Sequence, residues 1–257
     1  MLEIKNLSKS FNIGTDNEAN IFSNFNIHIN KGECIGILGA NGCGKSTLFN
    51  IISGVLIPEK GEIILNSKNI NKLKENERAK YIGRVHQNPS MGVSPSLTIL
   101  ENISLSEKKC QNFTLKKLIR KNNIEKYIKI LKTLDLGLEN KLYTEVKFLS
   151  GGQRQSLSLL MSTIKKPELL LLDEHTAALD PKTSRLIMEK TQELIKTQAI
   201  TTMMISHNVK DTIKYSDRIV MLDKGKIILD VRNKDITEKE LLSIYNSRNY
   251  GSLQEAV

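Results

Sequence analysis

An apolar run followed at once by a glycine-rich loop constrains the fold of this chain more than any other feature. Residues 33–47 read ECIGILGANGCGKST, and the loop has the form G-x-x-x-x-G-K-[ST], with Gly39, Gly44, Lys45 and Ser46 at the required positions. The apolar run is typical of a buried strand, and a helix is expected to begin at the end of the loop and continue through LFNIISGV. A strand, a loop and a helix in this order predict an α/β domain.

The loop is suited to hold the phosphates of a nucleotide. Glycines permit backbone turns that other residues avoid, so successive N–H groups can point into one concavity. The start of the following helix adds partial positive charge. Lys45 can reach the β- and γ-phosphates, and the Ser46 hydroxyl can ligate Mg²⁺. The residues predicted to bind the nucleotide here are Gly39, Ala40, Asn41, Gly42, Cys43, Gly44, Lys45, Ser46 and Thr47.

A second apolar run, Leu169–Leu172, ends in the two acids Asp173 and Glu174. Residues that follow a buried parallel strand lie at the carboxyl edge of the sheet, where ligands bind. We therefore expect Asp173 to hold Mg²⁺ through water, and Glu174 to polarise the attacking water as a general base. A strand that ends in solvated acids is the alternative, which the phosphate-binding loop in the same chain disfavours.

Two polar residues follow other apolar strands, Gln87 after YIGRVH and His207 after ITTMMIS. At the same edge, Gln87 could bridge Mg²⁺ and water, and His207 could hydrogen-bond the γ-phosphate and sense its presence. A purely structural role for either residue stays open, because a single Gln or His at a strand end is common. The candidate catalytic residues are Lys45, Gln87, Glu174 and His207, and the candidate metal ligands are Ser46, Gln87 and Asp173.

The pattern along the chain predicts one α/β domain that carries a helical insertion. Strand and helix signals alternate before residue 94 and again after the sequence LSGGQ, whereas the segment between them is helical in periodicity. We expect a single domain over residues 1–257, with an α/β core at 1–93 and 154–257 and a helical subdomain at 94–153.

Local signals predict several element boundaries. Ser94 before proline is expected to cap a helix, and the helical run TLKKLIRKNNIEKYIKILKTLDL is expected to break at its two asparagines. A further helix is expected to have Pro181 at its first position. A hairpin is expected around Lys224 and Gly225, and the last residues are expected to form a short helix and a frayed tail.

Composition limits where such a chain works. No apolar run approaches the roughly 20 residues of a membrane helix, and no signal peptide is apparent, so we expect the protein in the cytosol. The net charge of the chain is +10. The segment from Leu105 to Lys147 contains eleven basic residues and five acidic residues. That segment is either a solvated helical face or a surface close to an anionic membrane.

The three cysteines, Cys34, Cys43 and Cys110, follow no metal-site or disulfide spacing, which indicates free thiols in a reducing compartment. Cys43 differs from the others because it lies in the phosphate-binding loop near a helix start, a position that lowers a thiol pKa. We expect alkylation of Cys43 to block ATP binding and ATP to protect it.

The sequence LSGGQ, residues 149–153, places a second glycine-rich turn before a helix. In the order GANGCGKST, Gln87, LSGGQ, LLLLDE, ALD and His207, the chain resembles the ATP-binding subunits of ABC transporters over nearly its whole length. The resemblance implies a P-loop NTPase of the ABC type, with a RecA-like mixed-sheet core, an antiparallel β subdomain and the helical subdomain. LSGGQ is the most specific of these motifs, because other P-loop NTPases lack it.

The resemblance also explains why one domain has two phosphate loops. In this family two domains form a head-to-tail dimer, and each ATP contacts the first loop of one subunit and LSGGQ of the other. The implied ATP contacts in this chain are Ser150, Gly151, Gly152 and Gln153 in trans, Phe11 stacked on adenine, Thr47 at the α-phosphate and Asp180 in the loop that connects the two sites. Phe11 could equally be a core residue. ATP and Mg²⁺ are the implied ligands.

The chain departs from the family pattern DEPTSALD, which reads DEHTAALD here, so His175 replaces proline and Ala177 replaces serine. Loss of the serine hydroxyl removes a cross-dimer hydrogen bond, and His175 is expected to be structural. The DEHTAALD form resembles a bacterial branch linked to import of amino acids.

The implied partners are a second copy or a paralogous ATPase, integral membrane permease subunits and an extracytoplasmic solute-binding protein, with no nucleic acid. The implied location is peripheral, at the cytoplasmic face of the membrane, and the implied function is ATP-driven solute import. A soluble ABC ATPase of the iron–sulfur assembly type is the alternative.

Overall fold

The structure is a computed structural model that describes residues 1–109 and 118–254. Its strands are β1 (Leu2–Phe11), β2 (Ala19–Ile29), β3 (Cys34–Gly39), β4 (Lys60–Leu65), β5 (Lys68–Asn69), β6 (Ile82–Val85), β7 (Leu169–Asp173), β8 (Thr201–Ile205), β9 (Arg218–Asp223) and β10 (Lys226–Arg232). Its α-helices are α1 (Lys45–Ser53), α2 (Glu75–Arg78), α3 (Ile99–Glu107), α4 (Ile124–Lys132), α5 (Gly151–Thr163), α6 (Pro181–Gln198), α7 (Val209–Tyr215) and α8 (Glu238–Gln254).

The chain forms two compact units, one of Met1–Arg78 with Thr201–Val257 and one of Ala79–Ile200. In the first unit an antiparallel sheet has the order β2-β1-β4-β5. Leu2 pairs with Ile29 on one side and Leu65 on the other, and Leu2, Ile4 and Leu7 are buried. This sheet corresponds to the antiparallel β subdomain that the resemblance to ABC ATP-binding subunits implies.

The second sheet of this unit is mixed. Strand β3 lies between β8 and β9 and is parallel to both, and β10 pairs antiparallel with β9 through the hairpin predicted at Gly225. Every residue of β3 is buried, as its unbroken apolar sequence predicts. Because β3 and β8 run in the same direction, the residues after Gly39 and after Ile205 leave the sheet at one edge.

In the second unit β6 and β7 form a parallel pair, with Ile82 opposite Leu169 and Val85 opposite Leu172. Helices α3, α4 and α5 enclose a core of their own, which includes Ile103, Tyr127, Leu131 and Leu157. The part of the chain that the structure describes contains no helix long and apolar enough to cross a membrane.

The structure changes several predicted boundaries. Helix α3 is capped by Thr98, whose side chain forms a reciprocal capping box with Glu101, rather than by the serine at position 94. Strand β6 ends at Val85, two residues before Gln87. Helix α8 extends to Gln254 and is not a short helix with a frayed tail.

Helix α4 begins immediately after Asn123, the second of the two asparagines at which a break in the helix is predicted. The first residues of that predicted helical run, and Cys110 with them, lie outside the described residues.

Candidate active site

The loop between β3 and α1 has a backbone shape that requires glycine at two positions. Gly39 has a φ of +152°, and a Cβ there would lie 2.4 Å from the carbonyl oxygen of Leu222. Gly44 has a φ of +106°, and its Cβ would lie 2.8 Å from the ring of Phe22. Gly44 also caps α1 without a side-chain hydrogen bond to the first turn. The capping residue therefore supplies no side-chain acceptor that would compete with an anion for the first turn of α1.

Lys45 holds the loop together with a buried cation. Its side chain is only 5% exposed, and Nζ donates to the carbonyl oxygens of Gly39 at 2.7 Å and Ala40 at 2.9 Å. A buried ammonium is stable only when such acceptors replace water. Ser46 and the neighbouring Asn41 and Gly42 are exposed on the loop surface. A phosphate that enters the loop would therefore meet a cation that is already in place.

The expected lowering of the Cys43 thiol pKa is wrong, whereas the expected block of ATP binding by alkylation stays a prediction. The Cys43 thiol is 5% exposed, and burial raises its pKa above the ordinary value although Lys45 opposes the shift. Desolvation disfavours the thiolate more than the helix start favours it. Cys43 is accordingly a packing residue, whose Sγ lies 2.6 Å from where a Cβ on Gly39 would be.

His207 follows β8 and is exposed near the edge where the loop leaves β3. The amide of Ser206 donates to the carbonyl of Ile37 at 3.3 Å, which ties the end of β8 to β3. The His207 Nδ1 lies 3.5 Å from the hydroxyl of Tyr245 on α8. The structure thus brings His207 and the loop to the same edge of one sheet.

Phe11 ends β1 and is half-buried, outside the buried core. The ammonium of Lys9 lies 5.3 Å from the centre of its ring. One face of the Phe11 ring is therefore occupied by a cation–π contact. Because Phe11 is only half-buried, the alternative that it is a residue of the hydrophobic core is wrong.

In the second unit β6 and β7 are parallel neighbours. Asp173 is the last residue of β7, Glu174 follows it directly, and Gln87 lies two residues after the end of β6. Gln87 is exposed, whereas Glu174 is half-buried and has a φ of +46°. Left-handed backbone is uncommon for a residue other than glycine and is associated with functional sites. Asp173 is 13% exposed in its side chain and accepts a hydrogen bond from Arg84 at 3.0 Å.

His175 is structural, as predicted, and the structure shows how. The ring is 3% exposed, and Nε2 lies 3.2 Å from the hydroxyl of Thr191 on α6. Because the Thr191 hydroxyl donates to the carbonyl of Ile187 at 2.7 Å, it accepts from a protonated Nε2 of His175. Burial lowers the pKa of His175 to about 4, so the ring is neutral at pH 7. The hydrogen bond between the neutral ring and Thr191 therefore fixes the chain immediately after Glu174.

Residues of the LSGGQ turn have local roles in the fold. Ser150 caps α5, and its side chain and that of Gln153 form a capping box. Gln153 also donates from Nε2 to the carbonyl of Leu136 at 3.1 Å. A Cβ on Gly152 would lie 2.3 Å from Thr183, so this glycine permits close packing of α5 against α6.

Asp180 caps α6, with its Oδ1 accepting from the amide of Thr183 at 3.0 Å. Hydrogen bonds from Thr183 lower the pKa of this carboxyl below its usual range. The role that the structure shows for Asp180 is therefore the cap, and its place in a dimer stays a prediction.

Two residues that contact or position the candidate site residues were not predicted from the sequence. Arg84 contacts Asp173. The sequence feature that could have identified Arg84 is its charge within an otherwise apolar strand. Gln155 is fully buried on α5 and donates from Nε2 to the carbonyl of His86 at 3.0 Å, which fixes the chain just before Gln87. Nothing in the sequence distinguished Gln155 from an exposed helical glutamine.

The proposed metal ligands suit Mg²⁺ by their chemistry. Ser46, Gln87 and Asp173 supply a hydroxyl, an amide oxygen and a carboxylate, which are the hard oxygen donors that this ion prefers. The contact from Arg84 engages Oδ2 of Asp173, and Oδ1 makes no hydrogen bond to any residue that the structure describes. The donor set therefore fits the ion.

These features define a P-loop nucleotide-binding protein. They are a strand, a loop with required glycines, a buried lysine at a helix start, and acids at the end of a parallel strand. The family model described as ABC transporter matches residues 22–177, which is more than half of the chain. The chain belongs to this family.

Relatives support the same assignment. The chain is 48% identical to a tyrosine transport ATP-binding protein of Clostridioides difficile over 95% of this chain and 96% of the relative. It is 30% identical to a phosphonates import ATP-binding protein of Lactococcus lactis over 95% of this chain and 98% of that protein.

Solved structures agree. The ATP-binding cassette MJ0796, in a dimeric post-hydrolysis state bound to ADP and Pi, superposes with a TM-score of 0.77 at 28% identity and covers 91% of this chain and 99% of its own. The cbiO1 protein of Clostridium perfringens, part of an ABC transporter complex, gives 0.77 at 29% identity over 99% and 98%. The predicted fold class is confirmed, and the chain is an ATP-binding ATPase of the ABC type.

Proposed function

We propose that this chain is the ATP-hydrolysing subunit of a membrane importer and that it works as a head-to-tail dimer. The observation that carries the proposal is the loop of Gly39–Thr47, with its required glycines and the preplaced cation of Lys45. Two relatives that match nearly the whole chain are named for transport or import, which favours this function over iron–sulfur assembly.

In the proposed site the loop amides and Lys45 bind the β- and γ-phosphates, Thr47 lies at the α-phosphate and Phe11 stacks on adenine. Glu174 polarises the attacking water, and His207 bonds the γ-phosphate. Ser46, Gln87 and Asp173 would hold Mg²⁺, which when bound neutralises phosphate charge.

The second half of the site comes from the partner chain in this proposal. Ser150 is exposed at the start of the 13-residue helix α5, and a Cβ on Gly151 would have one neighbour, at 3.5 Å. A γ-phosphate placed there gains the amides and positive end of α5. Because only a closed dimer uses both loops of one site, ATP favours closure and hydrolysis favours opening. Asp180 lies in the segment proposed to connect the two sites.

We further propose that the dimer, of two copies or with a paralogous ATPase, binds integral membrane permease subunits at the cytoplasmic face of the membrane. The predicted helical subdomain at residues 94–153 would receive the permease, and a solute-binding protein would deliver the solute. An amino acid is the substrate class that the tyrosine transport relative supports. Co-purification of membrane subunits, rather than of soluble scaffold proteins, would distinguish import from iron–sulfur assembly.

Mixing of two defective subunits tests the composite site. In a Glu174→Gln background, which keeps ATP bound, we combine one chain carrying Lys45→Ala with another carrying Ser150→Arg. Each chain alone should stay monomeric with ATP and Mg²⁺ on size exclusion with light scattering. The mixture should dimerise, because the Ser150→Arg chain still has its first loop and the Lys45→Ala chain still has its LSGGQ turn.

Glu174→Gln alone should form an ATP-dependent dimer, whereas the matched control Glu189→Gln, on the exposed face of α6, should behave as wild type. A Glu174→Gln protein that remains monomeric with ATP, or a mixture that dimerises no better than its components, contradicts the proposal.

A further inference from the structure

Arg84 is a charged residue in a strand that otherwise consists of apolar residues and glycine. Strand β6 reads Ile-Gly-Arg-Val, and Ile82, Gly83 and Val85 are buried. A long apolar side chain at position 84 would meet the needs of such a strand without the cost of desolvating a guanidinium. The presence of arginine therefore points to a role other than strand formation.

The partner of Arg84 is the carboxylate at the end of the next strand. Nη2 donates to Oδ2 of Asp173 at 3.0 Å, and the two side chains are 14% and 13% exposed. Surface ion pairs such as Lys147 with Glu145 are far more open, with side chains 50% and 38% exposed. The pair of Arg218 with Glu33 is similarly shielded, at 19% and 15%. Charges that are largely removed from water interact more strongly than surface pairs.

We propose that Arg84 is a positioning residue that sets the divalent-cation affinity of the site by holding Asp173 and opposing the incoming metal charge. This inference rests on the proposed role of Asp173 as a metal ligand. Before the cation arrives, the guanidinium holds the carboxylate in one orientation through Oδ2. Once the cation is near, the same positive charge repels it, so binding is weaker than the carboxylate alone would give.

The geometry leaves room for both partners of Asp173. The arginine contact uses one carboxylate oxygen, and a carboxylate offers lone pairs on both. Asp173 would therefore still have a carboxylate oxygen to offer a cation while Arg84 stays in place. The effect of Arg84 is then electrostatic and not a steric block, which predicts that charge at position 84 matters more than its hydrogen bond.

The test measures metal binding without turnover. The protein is saturated with ADP, and free Mn²⁺ is followed by electron paramagnetic resonance during a titration. Arg84→Met should bind Mn²⁺ more tightly than wild type by about tenfold, because a positive charge has left a poorly solvated site. Arg84→Gln, a second neutral replacement, should behave in the same way, and Arg84→Lys should stay within about twofold of wild type.

The control Lys190→Met removes a cation paired with Asp135 on the protein surface and should leave Mn²⁺ affinity unchanged. Unchanged or weaker Mn²⁺ binding in the folded neutral variants overturns the inference. The metal role of Asp173 has its own readout, since Asp173→Asn should abolish the ADP-dependent Mn²⁺ site. If Asp173→Asn binds Mn²⁺ as wild type does, Asp173 is not a metal ligand. The inference about Arg84 then fails because its premise is wrong, whatever the Arg84 variants show.

Discussion

The buried ring of His175 should make the stability of this protein fall as pH is lowered through the weakly acidic range. In the unfolded chain a histidine has a pKa near 6.5, whereas burial lowers that of His175 to about 4 in the folded protein. Between these two values the unfolded state binds a proton and the folded state does not. Acidification therefore favours unfolding, and the stabilisation from a neutral buried ring is complete only above the unfolded pKa.

The size of the effect follows from the two pKa values. Integration of the linkage relation for one group from pH 7 to pH 5 gives a loss of about 2 kcal/mol in the free energy of unfolding. Below pH 4 the folded state also takes up the proton, and the loss from this group levels off near 3 kcal/mol, roughly. Other titrating groups add their own pH dependence, so a variant that lacks only this ring is needed.

His175→Gln is that variant, because it retains a side-chain donor for Thr191 and removes the titrating group. Urea unfolding at pH 7 and pH 5 should show wild type losing about 2 kcal/mol more than His175→Gln over this interval. Thr191→Val should lower stability at both pH values but keep the difference between them, since burial and not the hydrogen bond is the cause of the low pKa.

Equal losses in wild type and His175→Gln would refute this reasoning. An independent check is the imidazole proton resonance of His175, assigned by its absence in the variant. It should not titrate between pH 7 and pH 5, whereas the three other histidines remain in both proteins as internal comparison.

Two more substitutions and one labelling experiment test the packing of the first unit. Arg78→Met should lower the free energy of unfolding, measured in urea, by at least about 2 kcal/mol. The reason is that Arg78 is 1% exposed and donates to carbonyls at the end of α1 at 2.7 and 3.0 Å. A decrease of less than about 1 kcal/mol in the free energy of unfolding would contradict this expectation. Gly225→Ala should lower the melting temperature more than Gly14→Ala, because both have φ near +75° but only a Cβ on Gly225 meets a carbonyl oxygen, at 1.7 Å; equal shifts would show that backbone strain alone matters. Iodoacetamide should label the Cys43 peptide far more slowly in native than in urea-unfolded protein, by mass spectrometry, and equal rates would mean that the thiol is not protected.

The sequence was sufficient for those parts of the fold whose signals are local. An apolar run without interruption predicts the fully buried β3, and proline after Asp180 predicts the start of α6. Glycine and lysine spacing predicts the loop, because few backbones satisfy that pattern. The helix start at Thr98 was missed although Glu101 supplies the capping-box signal, since Ser94 before proline offered a competing cap.

Features that depend on distant partners could not be predicted in the same way. A helix start lowers a thiol pKa and burial raises it, and which effect prevails at Cys43 depends on packing that the loop sequence does not encode. Likewise, Arg84 and Asp173 are 89 residues apart, and only strand pairing makes them neighbours. The first half of α8 likewise packs its apolar residues in one cluster with α7 and β9, which are distant in the sequence.

The LSGGQ turn shows why a motif can be read correctly and still be incompletely understood. Its serine and glutamine cap α5, and Gly152 permits close packing against Thr183, so these three residues are already required by the fold of one chain. Gly151 differs, because a Cβ there would meet only Leu179, at 3.5 Å. Packing therefore does not account for glycine at position 151, whereas close approach of a phosphate to the helix start would. A test of the second phosphate site should accordingly begin with Gly151 and Ser150, since substitution of Gly152 confounds ligand binding with folding.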